Sequence, residues 1–117
     1  MTQVSKKSPK RMATSPTENS LKYLRKQGYT VAVVEHWNPH ARIRQDLFGF
    51  VDLLAIRGSE TLAVQSTSWA NTASRVGKIA EHENVGFVRD AGWAIHVHGW
   101  RKNPKTNRYE LKVVDVS

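Results

Sequence analysis

An aspartate stands alone inside the apolar run at residues 50–56 (FVDLLAI), and a second apolar run at 61–67 (TLAVQST) ends among polar side chains. Burying the Asp52 carboxylate among valine and leucine is costly unless the charge is paired or holds a cation. Gln65 and Thr67 are two residues apart, so on a strand they project from one face. If the two runs pair and bring that face against the one carrying Asp52, then Asp52, Gln65 and Thr67 converge. Glu18, early in the chain, could complete this polar, cation-holding group.

Such a group needs elements in a definite order to position it. Ser15-Pro16-Thr17-Glu18 reads as a helix start, with Ser15 as cap, Pro16 at the first helical position and Glu18 closing a capping box. Gly28 is a natural stop, so the first helix is expected over residues 16–27. Residues 29–37 (YTVAVVEHW) are rich in valine and aromatic residues and read as a strand with Val31, Val33 and Glu35 on one face. Residues 38–49 (NPHARIRQDLFG) hold a proline, a glycine and no sustained periodicity, and read as a basic loop. The runs 50–56 and 61–67 flank Arg57-Gly58-Ser59-Glu60, a good turn, and are expected as a hairpin covered on both faces. A second helix is expected over 70–83, with Ala73, Val76, Ile79 and Ala80 as its apolar positions, then a short helical turn over 84–92. Strict alternation marks a strand at 93–100 (WAIHVHGW), a basic turn follows at 101–107, and YELKVVDV at 109–116 reads as a last strand.

Composition bounds what this framework can serve. The chain has 117 residues, with 18 Lys+Arg against 10 Asp+Glu and no cysteine, which leaves room for one domain. Zinc ribbons and disulfide frameworks are excluded, and the expected home is cytoplasmic. No apolar run approaches the roughly 20 residues of a membrane span, so no membrane partner is expected. The net charge of +8 points to a polyanion, with nucleic acid first. Lys6, Lys7, Lys10 and Arg11 place half of that excess in the first residues, and residues 1–14 read as a disordered basic tail ahead of a single domain over 15–117.

The order of motifs resembles a family. An acid on a first helix, an aspartate in an apolar strand after a glycine-containing loop, and a strand ending in acid-or-glutamine, any residue, lysine is the pattern of the PD-(D/E)XK nucleases. The stretches TENSLKYLRKQGY, GFVDLLAI and TLAVQST resemble in particular the small archaeal-type Holliday junction resolvases and the phage nucleases similar to them, over residues 17 to about 80. The resemblance implies a restriction-endonuclease-like α/β fold, an α-β-β-β-α-β core with a central mixed sheet flanked by helices. It also implies metal-assisted phosphodiester hydrolysis. Glu18, Asp52 and Gln65 match positions that hold one or two Mg²⁺, or Mn²⁺, and the backbone carbonyl of Ser66 matches a further ligand. The lysine position is Thr67, and loss of a well-placed charge there costs on the order of 10²-fold in rate or more. Arg75 and Lys78, about one helical turn apart on the next helix, are the substitutes, since some relatives carry the lysine there.

Each residue also has a plainer role. Glu18 serves as the capping-box partner of Ser15, Asp52 as the partner of a buried Arg42 or Arg44, and Gln65 as a core amide bonded to backbone. Glu35 is either a secondary ligand or an ordinary strand-end charge. His96 and His98 share a strand face that reads as solvated or DNA-facing rather than as a metal pair. Burial is expected for Trp37, Trp69, Trp93 and Trp100, although Trp37 and Trp69 are also placed to stack on unpaired bases. Arg42, Arg44, Arg101, Lys102 and Lys105 are the expected phosphate contacts. The expected activity is that of a homodimeric, structure-selective DNA endonuclease acting on branched DNA such as four-way junctions. The competing expectations are a catalytically degraded DNA-binding relative and a nuclease cutting linear duplex.

Overall fold

The computed structural model describes residues 13–117. The expected disordered tail lies outside the described residues except at its end, where the Thr14 N–H donates to the Tyr109 hydroxyl (3.2 Å). Helix α1 (Pro16–Lys26) starts on the expected capping box: the Ser15 hydroxyl accepts from the Glu18 N–H, and the Glu18 carboxylate accepts from the Ser15 N–H (2.9 Å). The elements that follow are β1 (Thr30–Val33), β2 (His36–Asn38), β3 (Ile43–Gln45), β4 (Leu53–Arg57) and β5 (Glu60–Ser68). After a 3₁₀ turn (Trp69–Asn71) come α2 (Thr72–Ala80), α3 (Val85–Asp90), β6 (Ala94–Lys102) and β7 (Tyr109–Asp115).

Five strands form one mixed sheet in the order β1-β4-β5-β6-β7, antiparallel throughout except for the parallel β5–β6 pair that α2 and α3 connect. Strand alternation divides its side chains between two cores. Leu62 and Val64 of β5, with Leu53 and Ala55 of β4, pack against Leu24 of α1. Ala63 of β5, with Ile95 and Val97 of β6, packs against Ile79 of α2 and Val85 and Val88 of α3, together with Phe50 and Val51. The protein is thus a mixed α/β sheet flanked by helices on both faces. No helix among the described residues is long and apolar enough to cross a membrane.

Three expectations need correction. Residues 38–49 are not simply a loop: His36–Asn38 and Ile43–Gln45 form a two-stranded antiparallel hairpin. Asn38 turns it, its side-chain oxygen accepting from the His40 and Ala41 N–H groups, and Arg42 takes a left-handed φ of 56° to close it. Strand β1 consequently ends at Val33, and Trp37 on the hairpin is 56% exposed rather than buried. His98 is also not a solvated surface residue. It is 1% exposed, because its strand face lies beneath α1.

Its imidazole belongs to a closed polar cluster. Ser20 of α1 receives a hydrogen bond from the Ser66 hydroxyl (2.6 Å) and another from the Trp100 indole N–H (2.8 Å). The remaining Ser20 proton points to His98 Nδ1 at 2.8 Å, so His98 accepts there and carries its own proton on Nε2. Burial, and secondarily the neighbouring His96, lower the His98 pKa from 6.5 to about 4.

Two consequences are measurable. A folded pKa below the unfolded value means that protons bind the unfolded chain preferentially. The stabilising contribution of neutral His98 is therefore complete above about pH 6.5 and is lost as pH falls toward about 4. The stability advantage of wild type over His98→Asn should shrink by on the order of 2 kcal/mol between about pH 7 and about pH 4.5 in denaturant titrations. An advantage that does not change with pH would mean that the imidazole charges in place. Gly99 of β6 leaves no room for a side chain, since a Cβ there would strike the Thr72 hydroxyl and lie 3.3 Å from Trp69 Cα. Gly99→Ala should therefore cost about 1–3 kcal/mol and lower the melting temperature by several degrees.

Candidate functional site

Asp52 sits just before β4, where its backbone is held from two sides. Its N–H donates to the Val64 carbonyl (2.9 Å), and its carbonyl accepts from the Val34 N–H (2.8 Å). The side chain is 4% exposed, and one carboxylate oxygen accepts the Ser66 N–H (2.9 Å). Arg42 and Arg44 do not pair with it. Arg44 instead pairs with Glu35 at 3.2 Å, and Arg42 stays exposed in the hairpin turn.

The β2–β3 hairpin supplies the remaining acids. His36 is paired with Gln45, so Glu35 and Asp46 are the residues at the roots of its two arms. Both roots are tied to the segment carrying Asp52, one through Val34 and the other through the Leu47 N–H to the Val51 carbonyl (3.0 Å). Glu35, Asp46 and Asp52 therefore each bring a carboxylate oxygen within 4.8 Å of one another. Unit negative charges at that distance repel by roughly 3 kcal/mol per pair at an effective dielectric of about 20.

The electrostatics follow from that crowding in a partly dry site. Burial, opposed by the Ser66 N–H and reinforced by Asp46 and Glu35, raises the Asp52 pKa to about 8. Asp46 is raised as well, mainly by burial, while a hydrogen bond with Asp52 and then Arg75 and Arg44 pull it down. A site that favours a shared proton at neutral pH is one in which a cation would be favoured instead. The donors are all carboxylate oxygens, the set that suits Mg²⁺ or Mn²⁺, so the residues present fit such an ion.

The acids open onto a cavity of about 680 Å³ whose lining also includes Glu18, Ser66, Arg44 and Arg75. A second cavity of about 240 Å³ adjoins it, lined by Gln65, Lys78 and His82, and Asp46 and Arg75 belong to both. The result is one cleft with an acidic half and a basic half. Arg75 of α2 stands between them, and Lys78, one turn on, lines the basic half.

The expected site residues thus fall in different places. Asp52, Ser66, Arg75 and Lys78 reach the cleft, as does Gln65, whose side-chain N–H₂ donates to the Phe50 carbonyl (3.0 Å). Glu18 lines the cavity mouth but is not one of the three clustered carboxylates. Its capping-box bonds with Ser15 lower its pKa from the ordinary value. Thr67 is 5% exposed and lines neither cavity. Arg101, Lys102 and Lys105 sit on the β6–β7 hairpin with Glu110, away from the acids. Asp46 was not expected at all. Its one sequence signal was the Asn38-Pro39 turn dipeptide, which marks a hairpin whose arms would end near Glu35 and Asp46.

No protein-family model matches the chain, and no curated protein matches it. The geometry itself makes a prediction. Because the folded pKa of Asp52 is raised, the chain without metal loses stability as pH rises from the ordinary 3.8 to about 8. Asp52→Asn, which keeps an acceptor for the Ser66 N–H, should raise the metal-free melting temperature by several degrees at about pH 8. Mg²⁺ or Mn²⁺ should raise the wild-type melting temperature and leave the variant's unchanged. A variant destabilised at that pH would remove the case for crowded carboxylates.

Proposed function

We propose that the chain is a metal-dependent DNA endonuclease of the PD-(D/E)XK type, acting on branched DNA such as four-way junctions. The observation that carries this reading is the approach of Glu35, Asp46 and Asp52 within 4.8 Å at the mouth of a cleft shared with Arg75. Three carboxylates in a chain of net charge +8 are placed where a phosphate backbone would be repelled, unless a cation lies between. A bound Mg²⁺ or Mn²⁺ supplies a water of lowered pKa and charge stabilisation at the scissile phosphate. The Asp52 carboxylate is oriented by the Ser66 N–H, and the roots of the β2–β3 hairpin carry Glu35 and Asp46 to it. Arg75 faces the same cleft and offers the developing negative charge the fixed cation that Thr67 lacks, with Lys78 behind it.

The order of α1, β1, β4, β5, α2 and β6 around a mixed sheet supports a restriction-endonuclease-like core, in which β2–β3 is an addition between β1 and β4. Cutting both strands of a junction symmetrically needs two sites, which supports a homodimer, since each chain offers one cleft. The second reading is a DNA-binding relative without activity. Thr67 favours it: the motif position carries a buried hydroxyl where the active pattern has a lysine.

Labelled four-way junction and linear duplex incubated with Mg²⁺ or Mn²⁺ separate the two. Wild type should cut the junction, and Asp52→Ala, Asp46→Ala and Arg75→Ala should each lower the rate by roughly 10²-fold or more. Glu18→Ala should act mainly through a small loss of stability and leave the cutting rate of the folded protein little changed, because its carboxylate is engaged in the cap. Cutting that persists in Asp52→Ala would rule the site out. Tight junction binding with no metal-dependent cutting would establish the binding module.

A further inference from the structure

Trp69 follows the last residue of β5 and opens the 3₁₀ turn that leads into α2. Its indole is approached by two cations of the adjoining β6–β7 pair. The Arg101 guanidinium carbon lies 3.8 Å from the ring centroid and Lys112 Nζ lies 4.6 Å from it. Gly99 faces Lys112 and Arg101 faces Glu110 across that pair, so these four positions share one sheet face. Gly99 allows the turn to sit against it, with Trp69 Cα 3.3 Å from where a Cβ would be.

The charges cancel only in part. Glu110 pairs with Arg101 at 2.8 Å, while Lys112 has no acidic partner among the described residues. Lys102, Lys105 and Arg108 are exposed on the same hairpin. Exposed cation–π contacts contribute little to folding, but they hold an aromatic ring beside positive charge. That pairing of stacking surface with phosphate-binding charge is how single-stranded nucleic acid is held. Trp69 is three residues beyond Ser66, about 10 Å at ~3.3 Å per strand residue, or roughly three nucleotides at ~3.4 Å each.

We propose that Trp69, Arg101 and Lys112 form a platform where an unpaired base takes the place of a cation over the Trp69 ring and Arg101 and Lys112 move to its flanking phosphates, about three nucleotides from the acidic cleft. As a substrate determinant it rests on the proposed cleavage role of that cleft. It selects DNA with unpaired bases over continuous duplex, whose bases are already stacked.

Binding is best measured by anisotropy in EDTA, so that neither metal nor cutting enters, using labelled DNA with a single-stranded gap, the same DNA fully paired, and heparin as a competitor. Wild type should prefer the gapped DNA. Trp69→Ala should weaken gapped-DNA binding by roughly 5- to 150-fold and duplex binding little, and Trp69→Phe should retain most of the preference. Lys112→Gln should weaken both DNAs alike and lower the salt slope of log affinity by about 1. Circular dichroism melting controls for folding, and Trp69→Phe and Lys112→Gln keep the test decisive if Trp69→Ala unfolds. An unchanged gap preference in Trp69→Ala overturns the proposal, as do equal losses on gapped DNA, duplex and heparin. A Trp69-dependent gap preference in a protein that never cuts would support the platform and remove the nuclease reading. Metal-dependent cutting in a protein without that preference would do the reverse.

Discussion

Placing the Asp52 carboxylate inside a sheet costs several kcal/mol if the charge is kept, on the order expected for a buried ion. The Ser66 N–H is a fixed donor against that cost, and much of the local architecture is arranged around this contact. Asp52 uses its own N–H and carbonyl to join the Val64 and Val34 segments, so its side chain has little freedom to turn toward water. Ser66 in turn is held from below, its hydroxyl bonded to Ser20 of α1 and through it to His98 and Trp100. A neutral, closed hydrogen-bond cluster therefore supports the strand that orients a charged group, and the two lie on neighbouring sides of one backbone.

The hairpin β2–β3 makes this constraint chemical. Its roots are bonded to residues 51 and 52, so Glu35 and Asp46 cannot move away from Asp52 without breaking main-chain hydrogen bonds. Burial first, and the neighbouring carboxylates second, keep the Asp52 pKa raised, and burial raises Asp46 as well. Arg44 relieves Glu35 and Arg75 lowers Asp46, but neither is bonded to Asp52. Arg44, Arg75 and Lys78 thus line the cleft without pairing with Asp52. In the proposed reading, a polyanion drawn to basic side chains would meet an acidic interior, a mismatch that a divalent cation would resolve.

Much of the framework was legible because it is local. Ser15, Pro16 and Glu18 define a helix start through bonds between residues three apart, and the structure contains each of those bonds. The alternation at 93–100 marks β6, and the apolar runs at 50–56 and 61–67 mark a hairpin because both faces of the sheet are covered. Asp52 stood out because a lone carboxylate in an apolar run is anomalous wherever it lies in the fold. The hairpin at 36–45 is not legible in the sequence because its strands are three residues each and largely exposed, too short to show a period. The burial of His98 is hidden for a related reason: the alternation shows which face it shares with His96, but not that α1 covers that face at His98.

The amino-acid sequence establishes the order of elements apart from the β2–β3 hairpin, the basic surplus and the anomaly at Asp52, since each follows from residue type and near-neighbour spacing. It could not determine the partners of Asp52. Glu18 is the acid suggested by motif order, yet its carboxylate is satisfied locally by Ser15, while Glu35 and Asp46 are linked in the sequence by no more than the Asn38-Pro39 turn between them. Their meeting depends on where β2–β3 attaches to the strand before β4, a register set by main-chain bonds between distant segments. Side-chain chemistry is written in the residues, but the distance between charges, which decides whether three acids repel separately or act together, exists only once the sheet has closed.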